Sequence, residues 1–485
     1  MIDTRRRWHV FAAVAIGTFM STLDSSIVNV SLPTISRDFG IDLSIAQWVV
    51  LAYLITVAAL LLPAGSFVDL VGRGRSYTAG LALFTLGSLA CGLAPSEGAL
   101  IAARALQALG AALTMATGAA LLLDVWPPQQ RGQVMGLMGM VVSVGLLTGP
   151  PLGGFISGAL GWRWIFYVNL PVGAIGLVWA VLALRGVTEP KRKPIAFDVP
   201  GALTLGLFMV ALCLGLTFGP KQGWHEPWIV SLLGSSPVLL AAFLWRQATA
   251  RDPMLPLPLF RNATFSSASA SSLLSFTGQF PIFLFLPFYL QNVLGYSETR
   301  TGLTIFTVPL LTAVLAPPSG HLSDRWGTLW PTVVGLLLRG ASCALFLTVG
   351  LHASHLSVLV PLVLMGLGNA AFGPANQSAL MGAVPAENRG IASGVANAVR
   401  SLGMVIGAAA ATAIAAARAA ATGGGAGLDA AVAPAAFVAG FHASQVFSLL
   451  CNVAAAVAAG LRPNDARPPA EPVPEASHPA MTNGG

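Results

Sequence analysis

Apolar residues run along this chain in stretches of about twenty, broken by short segments where charge, glycine and proline collect. That length is what an α-helix needs to cross the hydrocarbon core of a bilayer. The runs lie at approximately 9–33, 46–68, 77–95, 98–123, 133–158, 164–185, 199–219, 228–246, 263–291, 302–322, 329–350, 355–380, 391–417 and 433–461. They predict an all-α integral membrane protein of about fourteen spans. The first run carries Asp24, and no small-residue cleavage site follows a short apolar region, so it reads as a retained helix.

One polar segment occurs twice. Gly65-Ser66-Phe67-Val68-Asp69-Leu70-Val71-Gly72-Arg73-Gly74-Arg75 joins the second and third runs, and Gly320-His321-Leu322-Ser323-Asp324-Arg325-Trp326-Gly327 joins the tenth and eleventh. A charged, glycine-bearing loop repeated once per half is the mark of a duplicated membrane protein. Duplicated six-span halves would set the copies six spans apart, yet they stand eight apart. Two helices are therefore inserted between the halves. The expected domains are a six-helix bundle at 1–185, a linker with two extra helices at 186–262, a second bundle at 263–461 and a disordered tail at 462–485.

Composition agrees. Apolar residues make up 55% of the 485, charged residues 9%, and mean hydropathy is +0.76. A soluble domain carries roughly a quarter charged residues. The net charge of +7 is scattered between apolar runs and forms no basic stripe with interleaved aromatics, so nucleic acid is not an expected partner. Placing both termini in the cytoplasm puts most Lys and Arg inside, among them Arg5, Arg6, Arg7, Arg131 and Lys191 to Lys193. Arg37, Arg163, Lys221, Arg300 and Arg418 remain outside.

The chain is thus expected in the plasma (inner) membrane. Cys91, Cys213, Cys343 and Cys451 each fall in an apolar run at spacings that match no metal or disulfide pattern. No phosphate-binding loop, nucleophile elbow or His/Cys cluster is present, so neither an enzyme nor a bound cofactor or metal is expected. Ala421 to Gly427 reads as a flexible outer loop, and 186–198 as a cytoplasmic linker.

Candidate chemistry centres on Asp24. An ionisable group at membrane depth faces a polar interior or a wet cavity. A desolvated carboxyl there can exchange a proton near neutral pH. Arg104 is the expected partner: with the first span ending near Pro33 and the fourth beginning near Gly98, the two lie about 14 and about 9 Å below the outer boundary. Gln107 follows one turn along the same face. A fixed structural pair remains the alternative, with Arg104 holding helices through backbone carbonyls.

Gly145, Gly149 and Gly153 recur every four residues beside Pro150, Pro151 and Gly154. This bare stripe permits close backbone approach, either as a hinge or as static packing. Asp69, Arg73 and Arg75, with Asp324 and Arg325, are a candidate cytoplasmic latch or ordinary loop charge. Asn29 and Arg400 are possible cavity residues. Arg339 and Arg400 either face a cavity or snorkel. Asp124 is expected to reach water, and His321 to be a loop residue.

The repeated Gly-x-x-x-Asp-x-x-Gly-Arg-x-Arg pattern resembles the loop between spans two and three of the major facilitator superfamily. Four further segments resemble its fourteen-span drug:proton antiporter branch. They are Leu23-Asp24 with Ile27 to Pro33; Arg104 with Gln107 and Gly110, where Ala108 replaces a usual glycine; Gly145 to Gly154; and Trp162 to Gly173. The resemblance implies proton-driven export of small hydrophobic or amphipathic compounds, with Asp24 and Arg104 in coupling. A monomer is expected, because each half supplies one wall of a central cavity. It leaves open an exporter dedicated to one endogenous metabolite, a non-transporting scaffold of the same fold, and nutrient uptake, against which the glycine-proline segment weighs. Some relatives carry an acid in span thirteen for cationic drugs; Arg400 stands there instead.

Overall fold

The computed structural model describes residues 4–127, 130–185, 198–250, 253, 255, 257–384, 389–422 and 433–462; within these, some side chains, including those of Asp69 and Asp324, lie outside the description. Of the expected linker at 186–198, residues 186–197 also fall outside it, as do 423–427 of the expected loop at 421–427 and 463–485 of the expected tail at 462–485.

Fourteen long helices follow one another. The first six are α1 (Thr4–Phe39), α2 (Trp48–Val71), α3 (Arg73–Gly92), α4 (Glu97–Val125), α5 (Arg131–Leu160) and α6 (Asn169–Leu184). Two more are α7 (Val199–Gln222) and α8 (Pro227–Thr249). The last six are α9 (Ala263–Phe288, continued by a π turn), α10 (Thr307–Trp326, preceded by a short helix Glu298–Ile305), α11 (Leu329–Phe346), α12 (His355–Gly382), α13 (Arg389–Ala421) and α14 (Pro434–Gly460). Thirteen of these elements are long and apolar enough to cross a membrane. The exception is α3, which carries Ser76, Thr78, Gly80, Thr85, Gly87 and Ser88 and packs against α4 and α6. Leu86, Val178, Leu182 and Trp245 are among the large apolar side chains left exposed, as a lipid-facing surface requires.

The first six helices pack mainly on one another, as do the last six. Helices α7 and α8 pair together, and α7 alone docks broadly on α2 and α13. Asp198, just before α7, fastens this pair. Its carboxylate accepts from Arg246 Nε at 2.8 Å, Gln247 Nε2 at 3.0 Å and the Gly201 amide at 3.2 Å.

Duplication is visible in the packing. Gly80 of α3 and Gly110 of α4 approach so closely that an added Cβ on either meets the other's carbonyl, at 3.0 and 2.5 Å. Gly335 of α11 and Gly368 of α12 repeat this crossing, at 2.7 and 2.6 Å.

Two expectations need correction. Pro33 does not end the first span: α1 continues to Phe39 with Pro33 inside it. A proline within a spanning helix is tolerated where neighbouring helices hold the segment, and α5, α6 and α4 pack along α1. Nor are the repeated segments loops. Gly65–Val71 completes α2, Arg73 opens α3, and only Gly72 lies between, at φ +101°. In the second copy α10 runs to Trp326 before Gly327 at φ +81°. Glycine reaches this region without a Cβ clash, so Gly72 alone breaks the first copy, and Gly327 with Thr328 the second.

Candidate functional site

The segments Met20–Ser31 of α1 and Arg104–Gln107 of α4 meet inside the first bundle, where Asp24 is fully buried. Its Oδ2 accepts from Arg104 NH1 at 2.5 Å. Its Oδ1 accepts from Gln107 Nε2 at 2.8 Å and from Asn169 Nδ2 at 3.2 Å. Four helices therefore hold one carboxylate, because Ser88 of α3 accepts from both amides, at 2.7 Å from Gln107 and 3.3 Å from Asn169.

Arg104 has anchors of its own. Its Nε donates to the Val49 carbonyl at 2.9 Å, its NH1 also reaches Gln107 Oε1 at 2.6 Å, and its guanidinium lies 4.4 Å from the centre of the Tyr53 ring. Removing one member of a buried ion pair typically costs about 3–5 kcal/mol, because the other charge is stranded. Here the stranded group would keep a carbonyl, an amide oxygen and a ring face.

The expected trio of Asp24, Arg104 and Gln107 is thus brought together. Asn169, Ser88 and Tyr53 complete the network and were not singled out in the sequence. Asn169 had a signal: it stands in the Trp162–Gly173 motif as the one amide opening an apolar helix. Ser88 and Tyr53 had none, since small hydroxyls and tyrosines are common in such spans. The same motif has a second anchor: Trp162 Nε1 and Arg163 NH1 both donate to Asp38 Oδ2, each at 2.9 Å.

The glycine segment of α5 faces two ways. A Cβ on Gly145, Gly149 or Gly153 would strike Thr22, Ser26 or Ile27 of α1. One on Gly154 would stand 2.4 Å from the Glu298 carbonyl, across the junction with the last six helices. Pro150, on the same helix, turns its carbonyl toward Gly302. Among the described residues, four side-chain hydrogen bonds join the two halves nearby: Thr34 to Glu298 at 2.7 Å, Thr299 to the Gly154 carbonyl at 3.3 Å, Gln291 to the Val30 carbonyl at 2.8 Å, and Thr412 to Gln47 at 2.7 Å. Each involves the half of its helix remote from the Gly72 and Gly327 breaks. This is the distal end of the molecule.

The remaining expected residues are dispersed. Arg73 is buried and pairs with Asp124, which is mostly covered; the expectation that Asp124 reaches water is corrected by this ion pair. Arg73 also donates to the Ala120 carbonyl at 3.3 Å. Arg75 and Arg325 are exposed, and His321 is exposed on α10 rather than in a loop. Asn29 is half-buried; its amide donates to Ser25 at 3.3 Å, and its oxygen has no partner. Arg339 is fully buried and does not snorkel: it donates to the Ser275 hydroxyl and, at 2.5 Å, to the Ser275 carbonyl. Arg400 is partly exposed and makes no hydrogen bond or ion pair among the described residues. All four cysteines are buried and unpaired.

Comparison with known proteins places this arrangement. The sequence model of the Major Facilitator Superfamily matches residues 14–408 and 268–482. The multidrug resistance protein Stp of Mycobacterium tuberculosis is 37% identical over 79% of this chain and 71% of its own. The riboflavin transporter RibZ of Clostridioides difficile is 33% identical, covering 80% and 83%. The tetracenomycin C resistance and export protein of Streptomyces glaucescens is 33% identical, covering 80% and 72%. A crystal structure of a bacterial homologue of the human lysosomal transporter Spinster, inward-facing and unoccupied, shares the fold with TM-score 0.67 at 19% identity, covering 95% and 98% of the chains. With its fourteen helices, its duplicated halves and these matches, the chain belongs to the Major Facilitator Superfamily and is a multi-pass membrane transporter, not an enzyme.

Proposed function

We propose that this protein is a proton-coupled antiporter that exports small hydrophobic or amphipathic compounds. The observation that carries the reading is the buried Asp24 carboxylate, held by Arg104 and Gln107 of α4 and Asn169 of α6. Protonation of Asp24 removes the charge that Arg104 pairs with. Arg104 then remains on α2 and α4 through Val49 and Gln107. The link that weakens is therefore the one from α1 to α4 and α6, so proton uptake loosens α1 within the first bundle.

That loosening has a mechanical outlet. Helix α1 carries Thr34 and Val30, which bond the second set of helices at the distal end, and it lies against the α5 glycines. In this reading the distal end is extracellular, both termini are cytoplasmic, and the distal contacts close the outer mouth. Asp69, Arg73, Arg75, Asp324 and Arg325 form the inner latch, and Asn29 faces the substrate path. The two bundles, 1–185 and 263–461, rock about that path as one monomer, with 186–262 as an accessory pair. Export, rather than uptake, is supported by similarity to drug-resistance proteins.

The test is transport by the purified chain in proteoliposomes under an imposed proton gradient. Accumulation of an amphipathic dye only when protons can run down their gradient in the opposite direction, and its collapse with a protonophore, is the expected result. Transport indifferent to the gradient would overturn the reading. Similarity to a riboflavin transporter favours a second reading, an exporter for one metabolite. Competition among unrelated dyes separates the two, because a dedicated exporter would move none of them.

A further inference from the structure

The second bundle has a one-sided charge. Between Ala263 and Arg462 its carboxylates are Glu298, Asp324, Glu387 and Asp429. Glu298 opens the distal short helix, and Asp324 stands three residues before the break at Gly327. Glu387 and Asp429 belong to the connections that precede α13 and α14. All four lie between the apolar runs of the sequence, and none falls within one.

Two arginines do. Arg339 lies midway along α11, and Arg400 is one-third of the way along α13. Both flank the same stretch of α9. Arg339 grips Ser275 through its hydroxyl and carbonyl. Gly403, less than one turn beyond Arg400, packs on the Leu273 carbonyl and Phe276. In the first bundle the charges of Asp24 and Arg104 cancel, so nothing there offsets the pair.

Their surroundings differ. Arg339 is sealed, with two oxygens of a neutral serine before it and the Phe372 ring 5.6 Å away. It can contribute a field but cannot touch a substrate. Arg400 is partly exposed and has no acceptor among the described residues. Its helix packs on α2 of the opposite bundle as well as on α9, so the helix that carries Arg400 takes part in the junction between the halves. A cation at membrane depth is stable only toward a wet cavity or with a partner.

We propose that the substrate path favours amphipathic compounds bearing an acidic group, such as a carboxylate, sulfonate or ionised phenol, and that Arg400 pairs with that group. Cationic compounds meet the field of two arginines, and the carboxylate fully buried within the described spans, Asp24, already accepts three hydrogen bonds. This inference rests on the efflux reading and names its substrate class.

Three dyes test it on the full chain: an anilinonaphthalene sulfonate, the cation ethidium and an uncharged amphipathic dye. Equilibrium binding to purified protein is measured beside gradient-driven transport in proteoliposomes. Wild type should bind and move the sulfonate in preference to ethidium. Arg400→Gln should weaken sulfonate binding by about tenfold or more, the size of a lost charge-assisted hydrogen bond, and leave the uncharged dye alone. Arg400→Lys should retain the preference, and Arg400→Glu should reverse it toward ethidium. Equal sulfonate binding by wild type and Arg400→Gln, or a wild-type preference for ethidium, would overturn the proposal. If no dye is moved by the gradient, the efflux reading fails, and the binding comparison alone still decides the charge preference.

Discussion

Gly302 lies so close to Pro150 that a Cβ added to it would stand 2.2 Å from the Pro150 carbonyl oxygen. Gly154 makes the reciprocal approach to the Glu298 carbonyl at 2.4 Å. Each backbone thus occupies the space a side chain would take on the other. The crossing closes through bare backbone and cannot admit even a methyl group without separating; in the proposed cycle it serves as the distal seal.

Substitution at that crossing should therefore bias the transport cycle. Overpacking a close contact costs about 1–3 kcal/mol, and about 1.4 kcal/mol changes a two-state ratio tenfold. Gly302→Ala should disfavour the distally closed state by roughly tenfold. Paired spin labels on the distal ends of α5 and α10 should report a longer mean distance, with slower transport. An unchanged distribution would show that the seal does not depend on this crossing.

Asp198 gives a prediction in pH. Burial pushes its carboxyl upward, but hydrogen bonds from Arg246, Gln247 and the Gly201 amide, with the charge of Arg246, outweigh that and hold it below 3.8. A lowered native value means that the stabilisation is complete above pH 3.8 and is lost as pH falls through the native value. Replacing an acceptor of buried donors costs about 1–3 kcal/mol. Asp198→Asn should melt below wild type at neutral pH, with the difference shrinking as acid protonates the wild-type group. Thermal unfolding in detergent across pH checks this; a difference independent of pH down to full protonation would contradict it.

The inner latch is tested at Asp69, on the last turn of α2. If this carboxylate closes the inner mouth when the distal end opens, Asp69→Asn loses a contact worth about 1.5–3 kcal/mol. The outward-open population should fall, transport should slow, and binding from the inner side should persist or tighten. Labels at the inner ends of α2 and α10 measure it. An unchanged distance distribution at fixed pH and protein level would reduce Asp69 to a topological charge.

Much of this was legible in the sequence because membrane solvation is strict. Every span had to be a long apolar helix, so the run at 263–291 could be recognised as a single crossing, and α9 with its π turn fills it. Asp24 and Arg104 stood out because charge is costly at depth. What stayed hidden was pairing and backbone detail. Nothing in the pattern distinguishes Asp124 facing water from Asp124 facing Arg73, since both positions lie at helix ends. Pro33 looked terminal because local propensity opposes helix there, whereas packing by three neighbours carried α1 past it. Ser88 looks like any small residue until the amides of Gln107 and Asn169 converge on it.

Asp24 is the proton carrier in the proposed cycle. Asn keeps the shape and the acceptor oxygen but cannot titrate, and Arg104 retains Val49 and Gln107 as partners, so the variant should fold and insert. The most direct measurement is proton-driven dye transport by reconstituted Asp24→Asn beside wild type, over a series of imposed pH gradients. Loss of gradient-driven accumulation, with dye binding retained, is the predicted result. Wild-type accumulation by Asp24→Asn across that series would contradict the coupling role.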